Sequence, residues 1–136
     1  MACLDTSVLL DLRGRGGVSR QRRATAAVRR AVEAGESLAV PRFTHVELCV
    51  GVSRSARPDR EREAVEAALA DLEMLEFDEK SARLFGEIVA GLMAAGKPTC
   101  DMDTLIASVA MASGHRLITG NRRHFEFIRG LEVEGY

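Results

Sequence analysis

The chain has no tryptophan and a single tyrosine, Tyr136, beside five phenylalanines, so recognition of nucleobases by extensive aromatic stacking is not expected of it. It has three cysteines, Cys3, Cys49 and Cys100, an odd number spread far apart. That spacing fits neither a zinc site nor a disulfide framework and predicts buried thiols. No apolar run approaches the roughly 20 residues that cross a bilayer. Asp5 interrupts the apolar start and no basic segment precedes it, which is not the pattern of a secretory signal. A cytoplasmic protein with no membrane association is the expectation. No internal repeat, low-complexity tract or linker divides the sequence. At 136 residues and 46% hydrophobic, one domain spanning residues 1–136 with its own core is expected.

The net charge of −1 conceals an asymmetry. Between Leu12 and Val32 there are seven arginines and no acid, whereas Asp59 to Glu79 holds nine acids against two arginines. A basic surface on part of a near-neutral protein is compatible with nucleic acid. Solvated helix faces account for the same pattern.

The stretch that organises the rest is Met1 to Leu12, MACLDTSVLLDL. Its first apolar residues read as a short buried strand. A helix starting at Thr6 or Ser7 follows, with Val8, Leu9 and Leu12 on one side. After a glycine-rich turn at Gly14, Gly16 and Gly17, a second helix is expected from about Ser19 to Ala34, ended by Gly35. Ser37–Val40 reads as a strand, Arg42–Ser53 as a helix, and the segment from Asp59 as another, with Val65, Ala68, Leu69 and Leu72 inward. Leu75–Phe77 is expected as a strand, Glu79–Ala95 as a helix capped by Gly96, and Pro98–Asp101 as a loop. Asp103–Ser113 is apolar almost all round and should be a central, buried helix. Arg116–Thr119 and Leu131–Val133 are the last expected strands. Strands alternating with helices predict an α/β fold: a short parallel sheet flanked by helices on both faces.

Several acids stand where burial is costly. Asp5 sits at the carboxyl end of a strand where a helix begins, a place for either a helix cap or a ligand-binding group. Phe43, Val46 and Val50 recur at helical spacing and predict a buried stripe, and Glu47 falls within it. Asp103 precedes Ile106, Ala107 and Ala110 at spacings of three, four and seven, so it heads the face that enters the core. An ionised carboxylate in such a place costs several kcal/mol unless it is paired or binds a cation. A single buried ion pair or a cap explains any one of them. All three, however, follow strands and can converge on one edge of the sheet. Converging carboxylates repel one another, and an oxygen-only set suits Mg²⁺ or Mn²⁺ rather than zinc. Asp101 and Asp103 cannot share one helix face, since residues two apart point about 200° away from each other. Asp103 is therefore assigned to the cation, and Asp101 is a cap or an outer ligand.

Asp5-Thr6-Ser7 after the first strand resembles the opening of the PIN-domain ribonucleases, particularly the VapC-type toxins of toxin–antitoxin pairs. The likeness continues in Thr44, Glu47 and Gly51, in Gly96-Lys97-Pro98 leading to Asp103-Thr104-Leu105-Ile106-Ala107, in Thr119-Gly120-Asn121 with His124-Phe125, and in Gly130-Leu131-Glu132-Val133. It covers essentially the whole chain. Ser108 stands where a second alanine is usual, and Asn121 where many members carry a fourth acid, although asparagine also occurs there. The resemblance implies a single PIN-like α/β/α domain and Mg²⁺- or Mn²⁺-dependent hydrolysis of RNA phosphodiesters. Asp5, Glu47, Asp103 and Asn121 would be its catalytic set, and Asp5, Glu47, Asp103 and Asp101 its metal ligands. Thr6, Arg122 and Arg123 would face the substrate, with the arginines from Arg13 to Arg23 on backbone phosphates. His124 either assists or caps, and His45 and His115 are read as structural. A homodimer and a cognate VapB-type antitoxin are implied as partners, with Leu84, Met93 and Met74 as surplus apolar residues. Two other classes remain to be weighed: an aspartyl-phosphate phosphoester hydrolase, which often uses a D-x-D strand end that Asp5-Thr6-Ser7 lacks, and an RNA- or partner-binding module outside a toxin–antitoxin pair, in which clustered acids would be a needless cost.

Overall fold

The computed structural model describes residues 1–98 and 100–136. Five strands form one sheet: β1 (Ala2–Leu4), β2 (Leu38–Pro41), β3 (Glu73–Leu75), β4 (Arg116–Thr119) and β5 (Val133–Gly135). All are parallel, in the order β3-β2-β1-β4-β5. The chain winds outward from β1 through β2 to β3, then crosses to β4 on the other side of β1. The break in direction between β1 and β4 is a topological switch point, where the strand ends leave a crevice.

Six helices make the connections: α1 (Thr6–Leu12), α2 (Val18–Glu33), α3 (Arg42–Arg54), α4 (Pro58–Leu69), α5 (Glu79–Ala94) and α6 (Asp101–Ala112). Their local causes are visible in the sequence. Asp5 caps α1 by accepting the Thr6 N–H at 2.7 Å, and Asp78 caps α5 by accepting the Ser81 N–H at 2.7 Å. Pro58 opens α4 at a position where its missing N–H costs nothing. Ala24, Ala27 and Ala31 bring α2 close to the sheet while its arginines stay outside.

Alternation along the short strands divides the core in two. Ala2, Leu4, Val40 and Ile118 face the layer of α1 to α4, packing on Val8, Ala27, Leu48 and Val65. Cys3, Ala39 and Leu117 face the opposite layer, where Ile106, Val109 and Ala110 of α6 pack with Phe125 and Ile128. With both faces covered, the strands read as continuous apolar runs, as expected of a parallel sheet. The α6 helix is as central as its composition predicts, with every residue from Ile106 to Ala110 buried. Among the described residues no helix is long and apolar enough to cross a membrane.

The structure corrects several expectations. The buried stripe of α3 is Thr44, Leu48 and Val52, not Phe43, Val46 and Val50; Val46 is 42% and Val50 54% exposed. The entry into α3 straight from buried Pro41 sets the rotation of the helix, and valine content alone could not. Glu47 still reaches the inner edge because it lies three after Thr44 and beside Leu48. On α1, Asp11 is buried with Val8 and Leu9, while Leu12 is only partly so. The α6 helix starts at Asp101, two residues earlier than expected, and Asp101 lies within it rather than capping it. The loop expected across Pro98–Asp101 includes Thr99, which lies outside the described residues. β3 and β5 are displaced from their expected positions because pairing sets their register: Pro41 aligns with Leu75, and Thr119 with Gly135. Of the cysteines only Cys3 is buried, and burial pushes its thiol well above the ordinary range; Cys49 and Cys100 are exposed.

At the sheet edge opposite Asp5, Arg116 at the start of β4 is clamped between Glu36 and Glu134. Its Nη2 donates to Glu36 Oε1 at 2.6 Å and its Nη1 to Glu134, which also receives Arg30 at 2.7 Å. The Arg116 fork holds the Glu36 carboxyl down at about 2, against 4.5 ordinarily. A carboxyl depressed in the folded state stabilises the fold above 4.5, and that contribution disappears as pH falls toward 2. Glu36→Gln should therefore melt below the wild type at pH 7, and the gap should close between pH 4.5 and 2 in thermal melts. A gap that persists at the acid end would show that Glu36 acts by packing instead.

Candidate active site

The switch point is where the acids meet. Asp5 leaves β1 with its backbone N–H bonded to the Ile118 carbonyl of β4 at 3.1 Å, so its side chain stands between the two strand ends. It is 5% exposed, and both its oxygens accept hydrogen bonds, one from two hydroxyls and the other from a backbone N–H. Oδ2 accepts from Ser7 Oγ at 2.6 Å and Thr119 Oγ1 at 2.8 Å, while Oδ1 caps α1. The Ser7 oxygen in turn accepts the Gly120 N–H at 2.9 Å, and the Thr119 oxygen accepts the Asn121 N–H at 3.0 Å. Asp5 is thus both a helix cap and a site residue, and these hydroxyls tie the turn after β4 to its carboxylate.

Glu47 arrives from α3. The Thr6 hydroxyl donates to its Oε2, linking the first residues of α1 to the carboxylate. Asp103, on the first turn of α6, is half-buried, and its Oδ2 lies 3.1 Å from His124 Nδ1. An ionised carboxylate can only accept, so the imidazole carries its proton on Nδ1 in this contact. His124 therefore orients Asp103. His45 lies 3.0 Å from Arg42 Nη1 and His115 packs in the core with Nδ1 near the Ser113 carbonyl, in line with structural roles.

The three acids act on one another. Burial raises the Glu47 pKa, the Thr6 hydrogen bond opposes that rise, and the like charges of Asp5 and Asp103 reinforce it. Among the described residues no lysine or arginine forms an ion pair with any of the three; the one positive-capable partner is His124 on Asp103. An unbalanced, oxygen-only donor set at a strand edge suits a hard divalent cation. No three acidic, imidazole or thiol groups among the described residues are close enough to make a closed cage. By its chemistry, though not by a closed cage, the oxygen-only set suits a hard divalent cation.

The remaining candidates fall into three positions. Asn121, Arg122 and Arg123 are exposed on the turn just after β4, the arginines in a short 3₁₀ turn (Arg122–His124), beside the acids. Thr6 is engaged with Glu47 rather than open to solvent alone. Asp101 is exposed and lies two residues from Asp103 around the helix, away from the half-buried face. Sequence reasoning missed Ser7 and Thr119 as the groups that hold Asp5, although both lie in the motifs it singled out. It also missed Asp11, which is 4% exposed, receives Arg20 Nε at 2.9 Å and the Tyr136 hydroxyl at 2.8 Å, and joins α1, α2 and the end of β5. The signal was present: Asp11 is three residues after Val8, in the same kind of stripe that flagged Glu47. A Cβ on Gly120 would come within 2.5 Å of Arg20 Nη2, so a larger residue there would push the end of the Arg20 side chain away from the cluster. An apolar cavity of about 490 Å³ between α5 and residues 127–129 has none of the three acids in its walls.

Comparison with known proteins places this architecture among the nucleases. The PIN domain family model matches residues 2–130. The tRNA(fMet)-specific endonuclease VapC of Salmonella typhimurium is 33% identical over 99 residues, covering 73% of this chain and 75% of that protein. Ribonuclease VapC of Haemophilus influenzae is likewise 33% identical over 99 residues, with the same coverage of both chains. Among solved structures, DNA-bound VapBC from Salmonella typhimurium superposes with a TM-score of 0.82 at 28% identity, covering 98% of this chain and 96% of that one. VapBC2 from Rickettsia felis bound to a promoter DNA fragment shares the fold with a TM-score of 0.87 at 24% identity, covering 99% and 98%. The chain belongs to the PIN-domain family and is a nuclease of the VapC ribonuclease type.

The raised Glu47 carboxyl has a consequence for stability. Below about 4.5, its unperturbed value, both folded and unfolded chains hold the proton and Glu47 costs nothing. Above it the folded chain keeps the proton longer than the unfolded one, so stability falls until the raised value is passed. In EDTA at pH 7, Glu47→Gln should melt a few degrees above the wild type, and at pH 4 the gain should vanish. A variant less stable than wild type at pH 7 would mean the Thr6 hydrogen bond outweighs the repulsion.

Proposed function

We propose that this protein is an endoribonuclease that hydrolyses RNA phosphodiesters with a divalent cation, Mg²⁺ or Mn²⁺, held by Asp5, Glu47 and Asp103. The observation that carries this reading is that Glu47, raised first by its own burial, also feels the charges of Asp5 and Asp103 at the switch point. Bound there, the cation supplies a Lewis acid for the scissile phosphate and an acidified water. The chain's own residues do the positioning. Ser7 and Thr119 fix the Asp5 oxygens, Thr6 fixes Glu47, and His124 fixes Asp103. Asn121, Arg122 and Arg123 on the adjoining turn contact the phosphates of the bound strand. With no tryptophan and its one tyrosine engaged with Asp11, selection of the RNA rests on shape and polar contacts.

Residues 1–136 act as one nuclease domain, the toxin half of a VapBC-type pair in the cytoplasm. Its antitoxin covers the acid rim with an arginine, because a site built for a cation also attracts a guanidinium, which grips carboxylates in a two-pronged fashion. The active form is a homodimer. Met93, 69% exposed, fits a self-complementary patch, as do Val46 and Val50 of α3; Met74, by contrast, packs against the core.

Asp5→Asn and Asp103→Asn should each abolish cleavage of RNA in Mg²⁺ and leave the fold intact, and excess EDTA should do the same to the wild type. Asp101→Asn should keep most of its activity. Wild-type-like cleavage by Asp5→Asn, or a dead Asp101→Asn beside an active Asp103→Asn, would refute the assignment. Thr119→Val, which removes one hydroxyl from Asp5, should lower activity by about 10–100-fold through the orientation of that carboxylate. Circular dichroism beside each assay separates impaired chemistry from an impaired fold.

A further inference from the structure

Away from the acids, a second cavity, of about 350 Å³, lies where the end of α1 meets the turn between α3 and α4. Arg13, Arg15, Arg57 and Arg60 line it, together with Ser55 and Glu61. Glu61 is the one acid in its wall and is already shared. Arg13 Nη2 donates to one oxygen at 2.8 Å and Arg15 Nη2 to the other at 2.9 Å, and both hold its carboxyl below the ordinary range. Four guanidinium groups against one carboxylate leave a large positive excess.

Two further observations say what the excess is suited to. Arg13, whose side chain is 19% exposed, has a buried Nη1 with no hydrogen-bond partner among the described residues. The pairing with Glu61 therefore satisfies that guanidinium only in part. The cavity also adjoins the start of α4, whose N-cap residue Arg57 offers no side-chain cap. The first N–H groups after Pro58 thus lack intrahelical partners and carry the positive end of the helix dipole. Ser55 Oγ accepts the Arg57 N–H at 3.1 Å, which leaves its hydroxyl proton to donate. Forked arginines and a hydroxyl around one cavity match the several acceptor oxygens of a phosphate.

We propose that this pocket is a phosphate-binding subsite for the nucleic-acid strand, separate from the acid rim; the source of the phosphate rests on the RNA-hydrolase reading above. The seven residues of α1 run between the two places, about 10 Å at 1.5 Å per residue. A strand whose scissile phosphate lies at Asp5 and Glu47 sets another of its phosphates at Arg13 and Arg57. The pocket thereby fixes the register of the strand on the enzyme while taking no part in the reaction.

The test uses the full chain and the double variant Arg57→Gln/Arg60→Gln, both positions being exposed and neither belonging to the acid rim. Binding of a short fluorescein-labelled single-stranded RNA is measured in EDTA, where cleavage is silent, across a series of KCl concentrations. The variant should bind roughly tenfold more weakly at low salt, and its log–log salt slope should be shallower by about 0.7 for each phosphate it no longer neutralises. Thermal shift with inorganic phosphate is run in parallel. An unchanged RNA slope overturns the proposal, and it does so even if the variant loses a phosphate-induced shift, since that result would mark a site for free phosphate. Wild-type cleavage of the same RNA in Mg²⁺ tests the nuclease reading independently: a slope difference without cleavage keeps the subsite and rejects the hydrolase.

Discussion

The burial of Glu47 beside the like charges of Asp5 and Asp103 is the constraint around which the site is arranged. Three carboxylates from three different elements meet at one strand edge, and none has a lysine or arginine among the described residues to neutralise it. Such a grouping opposes folding, so the rest of the structure must hold it in place. Hydroxyls do so at close range. Thr6, Ser7 and Thr119 donate to the acids, satisfying their oxygens without cancelling their charge. Had arginines replaced those hydroxyls, the cluster would be stable and would have no use for a cation.

Compensation lies elsewhere in the fold. The two core layers bury large apolar surfaces on both faces of the sheet, with Phe125, Ile106, Leu117 and Ile118 fully enclosed. At the opposite edge the acids are paired instead of exposed, Arg116 joining Glu36 and Glu134 across three elements. The sheet thus has one edge where charges cancel and one where they accumulate. Parallel strands make that division possible, because all five carboxyl ends point the same way. The connections out of β1 and β2, α1–α2 and α3–α4, stand beside the acid edge and bring arginines to its flank.

Much of this was legible in the residues. Strand–helix alternation, the buried centre of α6 and the placement of Asp5 at a strand end all follow from local patterns that the structure keeps. The errors have a common cause. Short edge strands such as β3 and β5 carry three residues each, too few for a pattern to define their limits, so pairing with β2 and β4 decides the register. The rotation of α3 was misjudged because valines occur on both its buried and its exposed faces. Glu47 was placed correctly on the inner side for an incorrect reason.

By itself the sequence determined which residues are acids on otherwise apolar elements, where helices lie to within a residue or two, and that strands and helices alternate, because caps, breakers and periodicity act over a few residues. Tertiary structure alone decided that β1 and β4 are neighbours. That pairing brings Thr119 and Gly120 to Asp5 across more than a hundred residues. It likewise alone decided that His124 meets Asp103, that Asp11 is buried under Arg20 and Tyr136, and that Arg13 reaches Glu61. The physical reason is range. Hydrogen bonds and charges act over a few ångströms, and which side chains come that close is set by how the sheet is ordered and how each helix is rotated on it. No local pattern in the chain encodes either.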